Sequence, residues 1–173
     1  MPPIKKIVII GPESTGKSTL TQALAQNFDE PWVEEYARQY LEDLNRGYKF
    51  GDLRKIAAGQ LALEDQKVNL AKHRLFCDTD LHVIQVWSEH RFKKTDPWIK
   101  EQIQKRKYDL YLLTDIDMVW QEDPLREHPE PHMRAYFFNT YHQLLAKRNL
   151  PFVRISGNQE ERLKKAILAV KAI

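Results

Sequence analysis

Short apolar runs alternate along the chain with longer segments of helical periodicity. Five runs are rich in β-branched and aromatic residues, which predicts strands. They are residues 4–10, 32–34, 75–77, 108–114 and 151–155. In the segments between these runs, apolar residues recur three or four positions apart, which predicts helices. The predicted helices are residues 15–28, 36–44, 52–73, 81–92, 97–106, 131–147 and 159–172.

Strands that alternate with helices imply right-handed crossovers and a parallel sheet with helices on both faces. The sequence shows no internal repeat and no linker, so we predict one α/β domain over residues 1–173 with five parallel strands. Ligands of such sheets bind beyond the carboxyl ends of the strands. The residues that follow each strand are therefore the candidates for a functional site.

Composition narrows the class of protein. Of the 173 residues, 42% are hydrophobic and 29% are charged, which is ordinary for a globular domain. No apolar run approaches the roughly 18 residues of a membrane helix, and the N-terminus lacks the apolar core of a secretion signal. Cys77 is the single cysteine, which excludes an internal disulfide and favours a reducing compartment. We expect a cytoplasmic protein without a membrane partner.

Net charge carries less information. A formal charge of +3 is too small to indicate a nucleic-acid partner, and we expect a small-molecule substrate instead. The most basic stretch lies near the C-terminus, and we interpret it as a solvated helix face. Its cations are Lys147, Arg148, Arg154, Arg162, Lys164, Lys165 and Lys171. Oligomeric state is not predicted by any of these patterns.

The segment after the first strand carries the most specific motif. Residues 11–18 match G-x-x-x-x-G-K-[ST] between a predicted strand and a predicted helix. Backbone N–H groups of such a P-loop point at a phosphate chain, and the helix dipole adds to that field. We expect Lys17 to bridge the β- and γ-phosphates of ATP and Ser18 to ligate Mg²⁺. The residues assigned to nucleotide binding here are Gly11, Glu13, Ser14, Thr15, Gly16, Lys17, Ser18 and Thr19.

Two carboxylates follow the third strand, at Asp78 and Asp80. An acidic residue at the end of a strand next to the P-loop strand can hold Mg²⁺ directly or through water. Asp78 is the first candidate because it follows the apolar run directly. Asp80 has a second interpretation, as the N-cap of the next helix.

The second strand is followed by Glu35, Tyr36 and Arg38 within one turn. A carboxylate can bind sugar hydroxyls or accept a proton, a tyrosine can stack on a ring, and an arginine can pair with phosphate. We therefore assign these residues, with Asp80, to substrate binding. The alternative is an ordinary charged helix start, where the dipole favours acidic residues.

Residues 115–131 form a polar segment with several prolines, which we interpret as a lid that excludes water during phosphoryl transfer. Trp120, Asp123 and Arg126 recur every three residues, so a short helix would place them roughly on one side. Either Arg126 or Arg134 would neutralise charge in the transition state. The alternative is a surface turn with a packed tryptophan.

Several stretches, taken in order, resemble the ribosylnicotinamide kinase domain of NadR-type NAD-biosynthesis proteins. They are residues 11–19 (GPESTGKST), 35–38 (EYAR), 78–80 (DTD), 108–110 (YDL) and the D-x-x-W-x-x-D-x-x-R pattern of residues 117–126. The resemblance spans nearly the whole chain. It implies a P-loop NTPase fold of the nucleoside-monophosphate-kinase type. It also implies an ATP-dependent kinase that converts nicotinamide riboside to nicotinamide mononucleotide by phosphorylating its 5′-hydroxyl.

The resemblance also implies roles for individual residues. Asp78 would serve Mg²⁺ or act as the base, Glu35 and Tyr36 would face the riboside, and Trp120 and Asp123 would help to enclose it. Because the nicotinamide ring of the riboside is a flat cation, we expect Tyr36 and Trp120 to hold it from opposite sides of the cleft. The loop after the last strand occupies the position where related kinases hold adenine. Its residues are Ser156, Gly157 and Asn158.

Proteins of this type also carry an adenylyltransferase domain and sometimes a DNA-binding domain, for which 173 residues leave no room. We therefore expect the kinase step alone. Two alternatives stay open, a kinase for another nucleoside or small metabolite and an ATP-binding switch or ATPase without an acceptor. An acceptor-sized pocket lined by Glu35, Tyr36 and Trp120 would distinguish the kinases from the switch.

Overall fold

Five parallel strands flanked by seven helices make up the computed structural model, which describes residues 3–173. The strands are β1 (Lys5–Ile10), β2 (Trp32–Val33), β3 (Arg74–Asp78), β4 (Leu110–Thr114) and β5 (Phe152–Ile155). The helices are α1 (Lys17–Phe28), α2 (Tyr36–Leu44), α3 (Phe50–Val68), α4 (Leu81–Phe92), α5 (Pro97–Lys105), α6 (Pro131–Lys147) and α7 (Gln159–Lys171). Within residues 3–173, no helix has the length and apolar character that a membrane span needs.

The strand order is β2-β3-β1-β4-β5, and all four neighbouring pairs are parallel. The predicted parallel five-stranded α/β sheet is confirmed. The chain first builds β2 and β3 on one side of β1 and then builds β4 and β5 on the other side. The order of strands therefore switches at β1, and the loop that follows β1 faces the crevice where ligands bind in such sheets.

The central strand β1 contributes to the hydrophobic core on both faces of the sheet. Ile7 and Ile9 pack with residues of α1 and α7 on one face. Val8 and Ile10 pack with residues of α4 and α6 on the other face. All four side chains are fully buried, and each such burial stabilises the fold by roughly 1.5–3 kcal/mol. Burial on both faces explains why this strand is an unbroken apolar run in the sequence.

The third helix begins and ends earlier than the predicted range of 52–73. Asp52 lies in its first turn, where the carboxylate accepts a hydrogen bond from the Lys49 backbone N–H (2.7 Å). After α3 ends, the chain is held toward β3 because the Glu30 carboxylate accepts the N–H groups of Lys72 (2.9 Å) and His73 (2.8 Å). The other predicted elements agree with the structure to within two residues at each end.

The lid, which we define as residues 115–130, contains no helix. Trp120, Asp123 and Arg126 therefore do not share the face of a short helix, the arrangement that their three-residue spacing would have allowed. Pro124 and Pro129 each lack the N–H that a helix interior requires. Several other backbone N–H groups of the lid donate to side chains of the P-loop. The segment consequently crosses the P-loop in an irregular conformation, with a single turn at residues 124–125.

Candidate active site

The P-loop (residues 11–18) joins β1 to α1 in a conformation that depends on its glycines. A Cβ on Gly11 would lie 2.3 Å from Thr114 Oγ1, so the ends of β1 and β4 approach more closely than a side chain would allow. Gly16 has a φ of +75° and precedes the first residue of α1. Thr15 Oγ1 hydrogen-bonds to Thr114 Oγ1 (2.7 Å) and anchors the loop to β4. The first N–H groups of α1 have no partner within the helix, which suits an anion.

Ser18 and Asp78 meet at the junction of the P-loop with β3. Ser18 Oγ donates to Asp78 Oδ2 (2.5 Å), and Asp78 is only 1% exposed. Burial raises the pKa of Asp78, while the Ser18 hydrogen bond and Lys17 oppose that rise. Asp78 Oδ1 is buried and has no hydrogen-bond partner among residues 3–173. A hydroxyl oxygen beside an unpaired carboxylate oxygen is the kind of donor set that Mg²⁺ takes together with phosphate oxygens, so these residues fit the metal.

Glu35, at the end of β2, is half-buried in the same cleft. Burial and the neighbouring Asp78 carboxylate raise the pKa of Glu35 to about 7, and Lys17 and Arg38 oppose this shift. A carboxyl group with such a pKa is partly ionised at neutral pH and can accept a proton from a hydroxyl group.

The lid is fastened to side chains of the P-loop. The Glu13 carboxylate accepts the backbone N–H groups of Glu127 (3.1 Å) and His128 (3.2 Å). Ser14 Oγ accepts the backbone N–H of Gln121 (2.8 Å). Because these contacts use side chains at positions 13 and 14, the lid closes over the loop without using the backbone N–H groups at the start of α1.

Basic residues hold the lid from two further directions. Arg38 on α2 pairs with Asp123 of the lid. Arg126 donates to Ser14 Oγ (3.4 Å) and to the carbonyl of Gln121. Both guanidinium groups line the cleft above the P-loop, where negative charge would develop on a transferred phosphoryl group.

Two cavities open side by side under the lid. The phosphate cavity, of about 200 Å³, lies above the P-loop and is lined by Lys17, Ser18 and Glu35 among others. The aromatic cavity, of about 490 Å³, lies between α2, α4, α6 and the lid. Residues that line both are Glu13, Leu41, Trp87, Leu125 and Tyr141, so the two cavities adjoin.

The aromatic cavity is lined by rings from four parts of the fold, one of them the ring of His128 in the lid. Trp87 and His90 come from α4, Phe137 and Tyr141 come from α6, and Tyr48 lies just before α3. Burial raises the pKa of Tyr141, and the nearby Glu35 carboxylate adds to that shift. The cavity is large enough for a nucleoside, and it adjoins the phosphate cavity that Glu35 lines.

The structure brings most of the sequence-predicted residues together around the phosphate cavity. Among the residues lining it are Gly11, Glu13, Ser14, Thr15, Gly16, Lys17, Ser18, Thr19, Glu35, Arg38, Asp123 and Arg126. Asp78 joins this group through its hydrogen bond to Ser18. At the edge of the cleft, Gly157 donates its N–H to Asp117 (2.6 Å) and Asn158 caps α7, whose first residue, Gln159, lines the cavity.

The structure does not place Tyr36 and Trp120 on opposite walls of the cleft, and neither lines the two cavities. The Tyr36 ring packs against α3, where a Cβ on Gly59 would lie 2.1 Å from it. The Trp120 ring faces the Arg134 guanidinium instead, 5.8 Å away. Tyr36 is held in this position because its backbone N–H donates to Gln60 of α3 (2.8 Å).

Asp80 and Arg134 also lie outside the cavities. Asp80 is buried as the N-cap of α4, where it accepts the N–H of His82 (3.0 Å). The N-cap interpretation is therefore the one that the structure supports. Arg134 donates to the carbonyls of Ser14 (3.2 Å) and Met118 (3.1 Å), so it braces the P-loop against the lid.

Sequence reasoning missed Trp87, Tyr141 and Arg162. The two aromatic residues occupy apolar positions of helices, and their spacing does not distinguish a cleft wall from the core. Arg162 was expected on a solvated face of α7 but is only 3% exposed. The fact that it lies one turn after the predicted adenine loop is the one sequence signal that could have indicated its role.

Arg162 ties three loops of the site together. Its guanidinium donates to the backbone carbonyls of Gly157 (2.7 Å), Thr15 (2.8 Å) and Asp115 (3.1 Å), and it pairs with the Asp117 carboxylate. These acceptors belong to the P-loop, the start of the lid and the loop after β5. A single buried side chain therefore fixes the relative positions of the segments that face the nucleotide.

Comparison with known proteins gives a family match and several relatives. A family model described as an AAA domain matches residues 6–162. The trifunctional NAD biosynthesis/regulator proteins NadR of Escherichia coli (strain K12) and Salmonella typhimurium (strain LT2) are each 30% identical over 156 residues. In both cases the match covers 88% of this chain but only 38% of the relative. The chain thus spans well under half the length of these curated relatives.

Solved structures show the same relationship. A crystal structure of NadR protein in complex with NR has a TM-score of 0.85 and 27% identity, covering 98% of this chain and 51% of that one. A NadR structure with NAD and AMP-PNP has a TM-score of 0.81 at 27% identity, covering 98% of this chain and 49% of that one. A thymidylate kinase from Ehrlichia chaffeensis, at 13% identity, has a TM-score of 0.68 and covers 98% of this chain and 100% of its own, so it shares the fold.

We expect Arg162→Ala to lower the free energy of unfolding by about 3 kcal/mol, because it leaves buried carbonyls and a carboxylate without their donor. Affinity for a fluorescent ATP analogue should fall as well, since the P-loop loses its tie to α7. Chemical denaturation and equilibrium binding measure both effects. Lys164→Ala, on the exposed face of the same helix, should change the unfolding free energy by less than about 0.5 kcal/mol. Equal stability of the two variants would contradict the structural role of Arg162.

Proposed function

The chain belongs to the AAA-domain family of P-loop proteins, and from this premise we propose that it is an ATP-dependent kinase for nicotinamide riboside. The reaction would transfer the γ-phosphoryl group of ATP to the 5′-hydroxyl of the riboside and release nicotinamide mononucleotide, ADP and a proton. Its main support is the aromatic cavity, which adjoins the phosphate cavity that Lys17 and Glu35 line. The NadR relatives, one of them solved with NR and one with NAD and AMP-PNP, favour the same substrates.

A separate acceptor cavity also distinguishes this proposal from its main alternative. A nucleotide switch or simple ATPase needs room for a water molecule next to the γ-phosphate, whereas the adjoining cavity here measures about 490 Å³. The proposal is restricted to the phosphoryl-transfer step, because the chain spans 38% of the NadR relatives.

The P-loop would bind the triphosphate. In the structure Lys17 Nζ donates to the Pro12 carbonyl (2.7 Å), which holds the ammonium group within the loop. A phosphate group is a charged acceptor, and it would replace that carbonyl as the stronger partner of Lys17. Ser18 and Asp78 would hold Mg²⁺, which when bound neutralises charge on the β- and γ-phosphates.

The aromatic cavity would hold the riboside with its nicotinamide ring against Trp87 and its ribose toward Glu35. A flat pyridinium cation is attracted to the face of an indole or phenol ring. Tyr141 lies between the two cavities, so the 5′-hydroxyl of a nucleoside bound in this orientation would point toward the P-loop. In this arrangement the ring is recognised by α4 and α6 rather than by the lid tryptophan.

Glu35 would be the base and Asp78 the metal ligand. Asp78 is buried and accepts a hydrogen bond from Ser18, whereas Glu35 faces the phosphate cavity and has a pKa of about 7. Glu35 would accept the proton of the 5′-hydroxyl as that oxygen attacks the γ-phosphorus. Arg38 and Arg126 would stabilise the charge on the transferred group, and the lid would exclude water from it.

A panel of nucleosides incubated with ATP and Mg²⁺, with products identified by mass, tests the proposed substrate. We expect nicotinamide riboside to give nicotinamide mononucleotide at the highest rate. Lys17→Ala should lower that rate by about a hundredfold or more, which corresponds to about 3 kcal/mol of transition-state stabilisation. Its melting temperature should stay near that of the unaltered protein. Faster phosphorylation of a purine or pyrimidine nucleoside would contradict the assigned substrate, and near-normal turnover by Lys17→Ala would contradict the kinase mechanism.

The pH dependence of kcat/KM for the riboside tests the base. Because Glu35 accepts a proton only when ionised, kcat/KM should rise with pH through about 7 and fall about tenfold per unit well below it. Glu35→Gln should lower kcat by about a hundredfold or more and remove this acidic limb. Glu34→Gln, which alters the neighbouring and more exposed carboxyl group, should keep the profile. An acidic limb that persists in Glu35→Gln would assign the base to another group.

Steady-state kinetics with both substrates varied tests whether Trp87 binds the nicotinamide ring. Trp87→Ala should raise the KM for nicotinamide riboside about tenfold, which corresponds to roughly 1–2 kcal/mol of stacking. The KM for ATP should change much less. Trp120→Ala tests the opposing hypothesis that the lid tryptophan holds the ring, and we expect it to leave the riboside KM within about threefold. The reverse pattern would indicate that the riboside binds against the lid and not against α4.

A further inference from the structure

A third cavity, of about 670 Å³, lies apart from the cleft, and we call it the basic cavity. It is formed by the first turns of α4, the end of α5 with the residues after it, and the end of α6. None of its lining residues lines the phosphate cavity or the aromatic cavity. It is therefore a separate depression on the α4–α6 face of the sheet.

The wall of this cavity carries positive charge that is only partly neutralised. Four cations line it, namely Lys100, Arg106, Lys107 and Arg148, and no carboxylate does. Arg106 is neutralised by a bidentate pair with Asp65 (2.6 and 2.8 Å) and by the buried Glu64 carboxylate behind the wall (3.3 Å), which also accepts the Tyr108 hydroxyl (2.7 Å). Within residues 3–173, the other three cations form no ion pair. A concave surface with several uncompensated cations raises the local concentration of anions.

Arg148 is held in place by neutral groups. One guanidinium nitrogen donates to His82 Nε2 (3.0 Å) and another to Gln85 Oε1 (3.1 Å). Because a guanidinium can only donate, His82 Nε2 must be the unprotonated nitrogen of the ring, and Nδ1 carries the hydrogen. That hydrogen is donated to Asp80 Oδ2 (2.6 Å), which also accepts the Tyr111 hydroxyl (2.9 Å).

This arrangement positions a guanidinium without cancelling its charge. His82 and Asp80 are buried, with side chains 5% and 1% exposed, so the orientation of the imidazole is fixed by the core. Arg148 is thereby oriented in advance, and its charge is left available to an anionic ligand. Arg106, whose charge is already paired, shows the contrast on the same wall.

We propose that the basic cavity binds a phosphorylated small molecule of nucleotide size. Arginine and lysine together suit phosphate oxygens, and the half-buried Tyr108 in the wall supplies a surface for a ring. The volume lies within the range of small-molecule sites. A concave site with three unpaired cations fits a small molecule better than the extended backbone of a nucleic acid. The site is independent of the phosphoryl transfer proposed for the cleft.

The test is a residue-resolved NMR titration. Isotopically labelled protein is saturated with Mg²⁺ and AMP-PNP, to occupy the P-loop, and then titrated with AMP and separately with inorganic phosphate. We expect saturable shifts of the His82 ring and the Arg148 side chain with both probes, and tighter binding of AMP because its base can pack on Tyr108. Lys107→Ala should weaken AMP binding about tenfold, as expected for loss of one charged hydrogen bond.

Two further variants control the titration. Lys105→Ala removes the same charge from the same segment, but Lys105 pairs with Glu101 (2.5 Å) and does not line the cavity, so the affinity should be unchanged. Arg148→Ala, with folding checked by its melting temperature, should also weaken binding. Shifts that do not saturate, shifts confined to residues 11–19, or equal affinity of Lys105→Ala and Lys107→Ala would overturn the proposal. Binding of duplex DNA at these residues without an effect of AMP would overturn it as well.

Discussion

The close contact between Gly11 and Thr114 determines where every other part of the cleft can lie. Because no Cβ intervenes, β1 and β4 run side by side to their ends, and Thr15 reaches Thr114 across the gap. The P-loop is then held close enough to β3 for Ser18 to bond Asp78. The nucleotide site, the metal ligands and the support for the lid therefore share a single steric requirement at one backbone position.

The cleft holds two carboxyl groups, the buried Asp78 and the half-buried Glu35, with basic groups around them. Burial raises the pKa of both Glu35 and Asp78, the Asp78 carboxylate raises that of Glu35 further, and Lys17 and Arg38 oppose the rise in both. The two carboxyl groups differ in what holds them. Asp78 is fixed by Ser18, while Glu35 faces open space in the cavity. The same pair of residue types can thereby serve a metal ion and a proton, because their surroundings differ.

The sequence predicted those features that depend on local physics. Strand β1 is buried on both faces and is therefore an unbroken apolar run, and the P-loop requires glycine at fixed positions. Features that depend on how helices and loops distant in the sequence pack together were not predictable. The spacing of Trp87 and Tyr141 is the same whether α4 and α6 face a cavity or the core. Arg162 is followed on α7 by lysines at the surface, and only the carbonyls of three separate loops explain its burial. The three-residue spacing in the lid would have suited a short helix, but its prolines oppose one.

The lid is held by side chains of the P-loop other than the residues that shape the loop. Lid opening and triphosphate binding therefore depend on different positions. Glu13 and Ser14 occupy variable positions of the phosphate-binding motif, and their side chains carry the contacts to the lid. Among residues 3–173, the hydrogen bonds that hold the lid do not involve the glycines or the lysine that shape the loop. Substitutions at positions 13 and 14 can therefore alter how long the lid stays closed, and with it the rate of product release. The glycines and the lysine that would bind the triphosphate are unchanged by them. Turnover and nucleotide affinity can be adjusted independently within a segment of eight residues.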